Sequence, residues 1–221
     1  ELGLKTTLFD GAATLNAALF YTEFQERQVS NFTLTGYVVG NAAESITQGF
    51  EADFRMALSE RLTVGASVAW LDSYFTAFLD GPCTAAQTDV AFSEGNPDCR
   101  QDLTGQGTDY APEVTASLTS QYLQPVGDTM ELRVQLDLNY SDEFFYTQDR
   151  DEADLQEAYY KVNSRVSLMH LDQGWELALI GKNLTDEITR PSGNDVPLFV
   201  GAHFAATDPP RSIAVEATFR F

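Results

Sequence analysis

Few side chains in this sequence are of the types that carry out covalent chemistry. The two histidines are His170 and His203, and the two cysteines are Cys83 and Cys99. A hydrolytic enzyme needs a nucleophile beside a base and an orienting group, and the sequence has no G-x-S-x-G motif. Alternation places His170 on an apolar strand face near a turn, and His203 falls in the last long loop without an evident partner. We therefore predict no catalytic residue and no enzymatic activity.

The two cysteines predict a disulfide between Cys83 and Cys99. Both lie in the longest predicted loop, separated by a stretch rich in Gly, Asp, Asn and Pro. A metal site is the poorer alternative, because this loop has no histidine and lacks the paired cysteine spacing of zinc sites. A disulfide that closes a loop of this size stabilises by about 3 kcal/mol in the chain-entropy model, and it fits a compartment outside the cytoplasm. We predict no metal ligands and no cofactor.

Acidic residues are concentrated in the predicted long loops. One loop contains Asp80, Asp89, Glu94, Asp98, Asp102 and Asp109, and another contains Asp142, Glu143, Asp149, Asp151, Glu152, Asp154 and Glu157. Such charge runs are typical of a solvated surface. Two sharper alternatives are calcium held by carboxylates, although no EF-hand spacing is present, and attraction of a cationic or metal-bearing ligand.

Aromatic residues accompany these acids and form a candidate ligand-binding surface. The candidate contacts are Phe92, Tyr110, Phe144, Phe145, Tyr146, Phe199 and His203. The alternative is that these side chains only pack the loops together or sit at a lipid interface.

The overall composition excludes two classes of protein. With 33 acidic and 13 basic residues, the net charge is −20, whereas a nucleic-acid partner requires a basic surface. No apolar stretch reaches the roughly 18 residues of a membrane-spanning helix. A membrane role would therefore have to come from strands.

The elements that must position the loops are strands, because apolar and polar residues alternate with a period of two. In the last segment, apolar Ile213, Val215 and Phe219 alternate with polar side chains. Segment 130–141 alternates in the same way, with Leu136 on the apolar face. The strand candidates are 1–8, 15–24, 49–58, 62–74, 113–123, 130–141, 160–168, 175–184 and 211–221.

The connections between these segments alternate between short and long. Short turns are predicted at 10–11, 59–60, 124–128 and 172–174, and long loops at 33–41, 77–109, 142–157 and 186–210. Outer-membrane barrels have short periplasmic turns and long extracellular loops. A soluble β-sandwich is the alternative, but its strands are usually about five to six residues long, shorter than the unbroken alternation found here. We therefore predict an all-β fold, an antiparallel transmembrane β-barrel.

Three motifs resemble those of one family. They are Gly49-Phe50-Glu51 at a strand start, Gly181-Lys182-Asn183-Leu184-Thr185-Asp186 at the end of the penultimate strand, and Pro210-Arg211-Ser212 before a strand that ends in Phe221. Together they resemble the C-terminal region of TonB-dependent receptors. The resemblance implies that residues 1–221 are the C-terminal portion of a barrel of about 22 strands. The N-terminal plug and the first barrel strands would lie outside this chain.

The resemblance also implies a function and partners. Such receptors import scarce nutrients through the bacterial outer membrane, with energy supplied by the TonB complex through the plug. Ferric siderophores are the favoured cargo, with cobalamin, haem or oligosaccharide as alternatives; a passive porin-like channel and a surface-binding barrel are alternative functions. Phe219 and Phe221 would form the signal for the barrel assembly machinery. Outer-membrane lipid and lipopolysaccharide would surround the barrel, and the C-terminus would be periplasmic.

Overall fold

The computed structural model of the chain describes residues 1–33, 36–96, 99–196, 199 and 201–220. These residues form one nine-stranded antiparallel sheet and two short two-stranded ribbons. The strands are β1 (Leu2–Leu8), β2 (Ala13–Thr33), β3 (Gly36–Ala57), β4 (Leu62–Ala77), β5 (Val114–Val126), β6 (Met130–Ser141), β7 (Phe144–Phe145), β8 (Leu155–Gln156), β9 (Tyr159–His170), β10 (Trp175–Lys182), β11 (Ser192–Asp195), β12 (His203–Ala206) and β13 (Ser212–Phe219).

Helical structure is confined to the connections. One α-helix, α1 (Ala85–Ser93), lies between β4 and β5, and 3-10 turns span Phe9–Gly11 and Glu152–Asp154. No helix in the described part of the chain is long and apolar enough to cross a membrane.

The nine strands predicted from alternation are the nine strands of the sheet. Their order is β1-β2-β3-β4-β5-β6-β9-β10-β13, so each strand pairs with the next predicted strand along the chain. The ribbons β7–β8 and β11–β12 lie within long connections. Neighbouring strands of the sheet are therefore antiparallel, as in hairpins. Because the chain reverses at every connection, all the long connections lie at the same rim of the sheet.

One face of the sheet is apolar and exposed. Leu136 in β6 exposes 47% of its surface and Val215 in β13 exposes 71%. Apolar side chains exposed side by side on neighbouring strands suit contact with hydrocarbon rather than water. The predicted apolar face is confirmed at these two positions.

The opposite face carries polar side chains that bind one another. Arg165 on β9 donates to Glu176 at 3.0 Å and to Glu216 at 2.8 Å. The hydroxyls of Ser67 on β4 and Ser117 on β5 are hydrogen-bonded at 2.6 Å. Cross-strand pairs of this kind satisfy polar groups that would otherwise lack partners away from bulk water.

Two predicted connections differ from the structure. The long loop predicted around 33–41 is wrong, because β2 and β3 stay paired up to Thr33 opposite Gly36. The register of that pair shifts between Phe24 and Gln28, and a shift interrupts the alternation on which the prediction rested. The turn predicted at 124–128 is shorter, because β5 continues through Pro125, a residue tolerated where a ladder ends.

A small core holds the longest connection against the sheet. Phe75 at the end of β4 packs against Phe78, with ring centroids 4.8 Å apart. Both residues are buried with Leu103 of the same connection and with Val29 of β2. The connection is therefore packed onto the extended β2–β3 hairpin, which fixes its position over the rim.

Candidate functional site in the long loops

Three long loops meet above one rim of the sheet. We define the first long loop as residues 78–113, the second as 142–158 and the third as 183–211. Gln101 of the first loop donates to the carbonyl oxygen of Asp149 in the second at 2.8 Å. The backbone N–H of Ala85 donates to Asp195 Oδ2 of the third loop at 3.1 Å. The backbone N–H of Arg190 donates to Gln156 Oε1 of the second loop at 2.6 Å.

The first loop is stiffened at the point where it reaches the third. Cys83 and Cys99 form the predicted disulfide, with Cα atoms 5.9 Å apart. Thr84 caps α1 reciprocally with Gln87, because each side chain accepts the other residue's backbone N–H. The bond and the cap together fix the start of α1, and the first N–H of that helix is the one that meets Asp195.

Five side chains of the second and third loops form an acid–histidine cluster, which comprises Asp149, Asp151, Asp154, Asp195 and His203. Asp195 and His203 lie opposite each other in the β11–β12 ribbon. His203 Nδ1 lies 2.8 Å from Asp195 Oδ1 and 3.2 Å from Asp154 Oδ1. One carboxylate oxygen from each of Asp149, Asp154 and Asp195 lies within 4.8 Å of the other two.

This cluster corrects one expectation, namely that His203 has no partner. The sequence did not reveal this cluster, because Asp149 and Asp154 belong to a different loop from His203, and Asp195 faces His203 only when β11 pairs with β12. The acids of this cluster are also candidate ligands for the calcium alternative considered from composition, although no local sequence motif predicted them.

The surroundings of the cluster disfavour the ionised form of its carboxyl groups. Asp154 is 0% exposed, and neither of its carboxylate oxygens accepts a hydrogen bond from the described residues. Burial raises the pKa of Asp154, and the nearby His203 acts in the opposite direction. Burial, reinforced by the charge of Asp149, raises the pKa of Asp195 to about 7. Several carboxylates thus share a poorly hydrated space, and a bound cation or proton would relieve their repulsion.

The aromatic candidates do not form a single platform. The Tyr110 and Phe144 rings lie 6.2 Å apart, and the Tyr110 N–H donates to the Phe145 carbonyl at 2.9 Å. The Arg150 guanidinium lies 4.2 Å from the centre of the Phe145 ring. These contacts bring the first and second loops together through aromatic side chains.

The remaining aromatic candidates are placed differently. Tyr146 is buried beside the acid–histidine cluster, where its backbone N–H donates to the Asp154 carbonyl at 3.2 Å. Its ring packs so closely on Gly193 that a Cβ there would lie 2.5 Å from Tyr146 Cε2. Phe92 and Phe199 are exposed. Their role in ligand binding stays a prediction.

The base of the third loop is fixed by the sequence motifs noted above. Asn183 is buried with a positive φ of 50°, and its side chain bonds the backbone of Glu187 and Pro209. Asp186 accepts from both the backbone and the guanidinium of Arg211 at 3.1 Å. The Gly181–Asp186 and 210–212 motifs therefore bind each other, a structural role that their spacing alone did not reveal.

The third motif and the terminal aromatics can also be placed. Gly49 pairs with Phe20, and a Cβ at Gly49 would lie 2.1 Å from the Trp70 carbonyl oxygen, so only glycine fits at the start of that motif. Phe219 is exposed on the apolar face, and Phe221 lies outside the described residues. Their role as an assembly signal stays a prediction.

Solved structures with the same fold include receptors and a transporter. The ferric yersiniabactin uptake receptor of Yersinia pestis matches with a TM-score of 0.75 and 17% identity, over 99% of this chain and 29% of that receptor. The siderophore receptor PiuA of Acinetobacter baumannii matches with a TM-score of 0.71 and 22% identity, over 97% of this chain and 27% of that receptor. A copper transporter matches with a TM-score of 0.65 and 12% identity, over 99% of this chain and 31% of that protein. At these identities the likeness shows the fold alone.

The comparisons also show how much of these proteins the chain spans and which family model it matches. The chain spans less than a third of the length of these solved structures. No curated protein sequence matches it. The family model for a TonB dependent receptor-like β-barrel matches residues 1–184, which include eight of the nine sheet strands. The nine-stranded sheet is accordingly a segment of an outer-membrane barrel wall, and the chain belongs to the TonB-dependent receptor β-barrel family.

Proposed function

We propose that the chain is the C-terminal part of an outer-membrane transporter that imports a metal chelate, with a ferric siderophore as the favoured cargo. The observation that carries this proposal is the convergence of three long loops, rich in acids and aromatics, at one rim of a barrel of this family. A plug outside this chain would receive energy from the TonB complex. The whole barrel would have about 22 strands.

The contacts among the loops support a binding role at this rim. The Tyr110 and Phe144 rings, tilted by 37° to each other, give an apolar contact surface, which suits packing against the aromatic groups of a chelator. Phe92 and Phe199 project from other parts of the same rim and are exposed. A preformed surface of this kind binds without a large cost in ordering the loops.

Uptake by cells tests the proposal directly. Cells that carry the whole protein should accumulate radiolabelled iron from a supplied ferric siderophore, and deletion of its gene or loss of TonB should abolish this accumulation. Uptake that persists without TonB would favour the passive channel, and binding without uptake would favour the surface-binding barrel.

A matched pair of variants tests whether the loops contact the cargo. Phe144→Ala should lower the apparent affinity for the chelate about 2- to 10-fold, which corresponds to the loss of one aromatic contact. Tyr122→Ala, an exposed aromatic near the short turns, should leave uptake unchanged. Equal effects of the two substitutions would contradict a binding surface at the long loops.

Labelling of intact cells tests the proposed orientation, in which the long loops are extracellular and the C-terminus is periplasmic. The two native cysteines are paired, so a cysteine introduced at Ser192 or Asp128 is the target for a membrane-impermeant maleimide. Ser192→Cys in the third loop should be labelled, whereas Asp128→Cys in a short turn should not. The reverse result would invert the orientation.

A further inference from the structure

We propose that the acid–histidine cluster binds one divalent transition-metal cation, which ties the second long loop to the third. Asp149 and Asp154 would supply ligands from the second loop, and Asp195 and His203 from the third. This site is distinct from cargo binding and does not depend on the transport function proposed above.

The first argument is that the converging atoms lack other partners. Five of the seven buried polar side-chain atoms that form no hydrogen bond among the described residues lie in the second and third loops: both carboxylate oxygens of Asp154, Asp195 Oδ1, His203 Nδ1 and Thr147 Oγ1. Leaving a buried ionised carboxylate unpaired is among the most costly arrangements in a protein. A fully buried Asp154 whose two oxygens both lack donors therefore requires a cation or a proton to neutralise it.

The second argument is geometric. His203 Nδ1 lies 2.8 Å from Asp195 Oδ1 and 3.2 Å from Asp154 Oδ1, but neither contact has the direction of a hydrogen bond. Neighbouring ligands around a first-row metal, each about 2.0 to 2.2 Å from the ion, are about 3 Å apart. Both distances match those between neighbouring ligands of one cation, and Asp149, Asp154 and Asp195 each place one carboxylate oxygen within 4.8 Å of the other two.

The third argument is that the nearby cationic side chains are engaged elsewhere. Arg150 donates to the Gly107 carbonyl at 2.7 Å, and Arg190 donates to the Ala153 carbonyl at 3.3 Å. Within the described part of the chain, neither arginine forms an ion pair with the cluster. Even a protonated His203 would supply only one positive charge to at least three carboxylates.

The donor set favours a transition metal over calcium. Calcium prefers oxygen ligands only, whereas an imidazole combined with carboxylates suits Zn²⁺, Mn²⁺ or Fe²⁺. The imidazole is held in place, because Asp195 and His203 are paired across the β11–β12 ribbon. Zn²⁺ is therefore the appropriate probe, and Ca²⁺ is the comparison.

The test is a titration of the whole untagged protein, purified from outer membranes in detergent and stripped with EDTA. Calorimetry should show one high-affinity Zn²⁺ site, weakened at least tenfold in Asp154→Asn and in His203→Gln, as expected when a ligand is removed. Glu143→Gln removes the same charge from an exposed position of the same loop and should change nothing. Slower migration on boiling would verify that each variant barrel is assembled.

Hydrogen exchange separates this proposal from a cluster that merely shares protons. Zn²⁺ should slow exchange at the Tyr146 amide, which is bonded to the Asp154 carbonyl, in the unsubstituted protein but not in Asp154→Asn. If no Zn²⁺ binds and Asp154→Asn itself slows this exchange, charge relief alone explains the cluster and the proposal fails. If only Ca²⁺ binds and His203→Gln has no effect, the assigned ligands are wrong.

Discussion

Replacing Asn183 should loosen the base of the third long loop. Its Nδ2 group donates to the carbonyl of Glu187 at 2.9 Å, and its Oδ1 accepts the backbone N–H of Glu187 at 3.0 Å. Two longer contacts, both 3.3 Å, reach Pro209 and Thr185. The residue also adopts a left-handed backbone conformation with φ of 50°, which asparagine tolerates and alanine does not.

The magnitude follows from these contacts. The two short hydrogen bonds are worth about 1 kcal/mol each, and the left-handed conformation costs alanine about 1 kcal/mol more than asparagine. Asn183→Ala should therefore lower the free energy of local opening by about 3 kcal/mol, which is roughly 100-fold in the opening equilibrium. Asn183→Gly keeps the backbone freedom and should cost about 1 kcal/mol less.

Hydrogen exchange of the native protein measures this effect. The reporter is the Asp208 amide, which donates to the Thr189 carbonyl at 3.0 Å and closes the loop base. Its exchange should accelerate roughly 100-fold in Asn183→Ala, less in Asn183→Gly, and not at all in the exposed control Asn194→Ala. Acceleration of less than about threefold, or an equal effect of the control, would refute the assigned role of these hydrogen bonds.

Three further predictions concern the wall, the first loop and the cluster. Leu136→Arg should impair assembly, because a charge on the lipid face destabilises the folded barrel by about 2 to 4 kcal/mol. Gln135→Arg, beside Asp137 on the polar face, should assemble normally. The mobility of the two variants on unboiled gels measures the difference. Replacing Cys83 and Cys99 by serine should destabilise the first loop by about 3 kcal/mol, measured as faster proteolysis within α1, and unchanged cleavage would contradict this. Gly193→Ala should displace the Tyr146 ring at a cost of about 1 to 3 kcal/mol and accelerate exchange at the Tyr146 amide, whereas Ser192→Ala should not.

The sheet was predictable because its strands obey a local rule. Alternation depends only on which face each successive side chain occupies, so nine segments could be identified without knowing their partners. The rule failed at β2 and β3, where the register shift between Phe24 and Gln28 moves side chains to the opposite face. The strands continue beyond that point because backbone pairing, rather than apolar alternation, extends the ladder to Thr33.

The candidate site was predictable only in part, because its geometry is non-local. Sequence reasoning found the acids, the aromatics and the disulfide as loop residues. It could not find that Asp195 and His203 are cross-strand neighbours, since the β11–β12 ribbon is only four residues long on each strand. The prediction of no metal ligands rested on the lack of a local motif, and the proposed ligands come from two separate loops.

The family motifs lie at the base of the third loop, whereas the acid–histidine cluster lies farther from the sheet, in the second and third loops. Asn183 and Asp186 fix the base of the third loop through neutral and paired groups that hold without any ligand. The cluster lies nearer the ribbon, and both oxygens of Asp154 and Oδ1 of Asp195 accept no hydrogen bond from the described residues. The contacts at the base therefore involve no ligand, whereas under the proposed metal site the outer contacts depend on what neutralises Asp154 and Asp195. Under the proposed binding role, ligand entry would therefore disturb these outer contacts before the base.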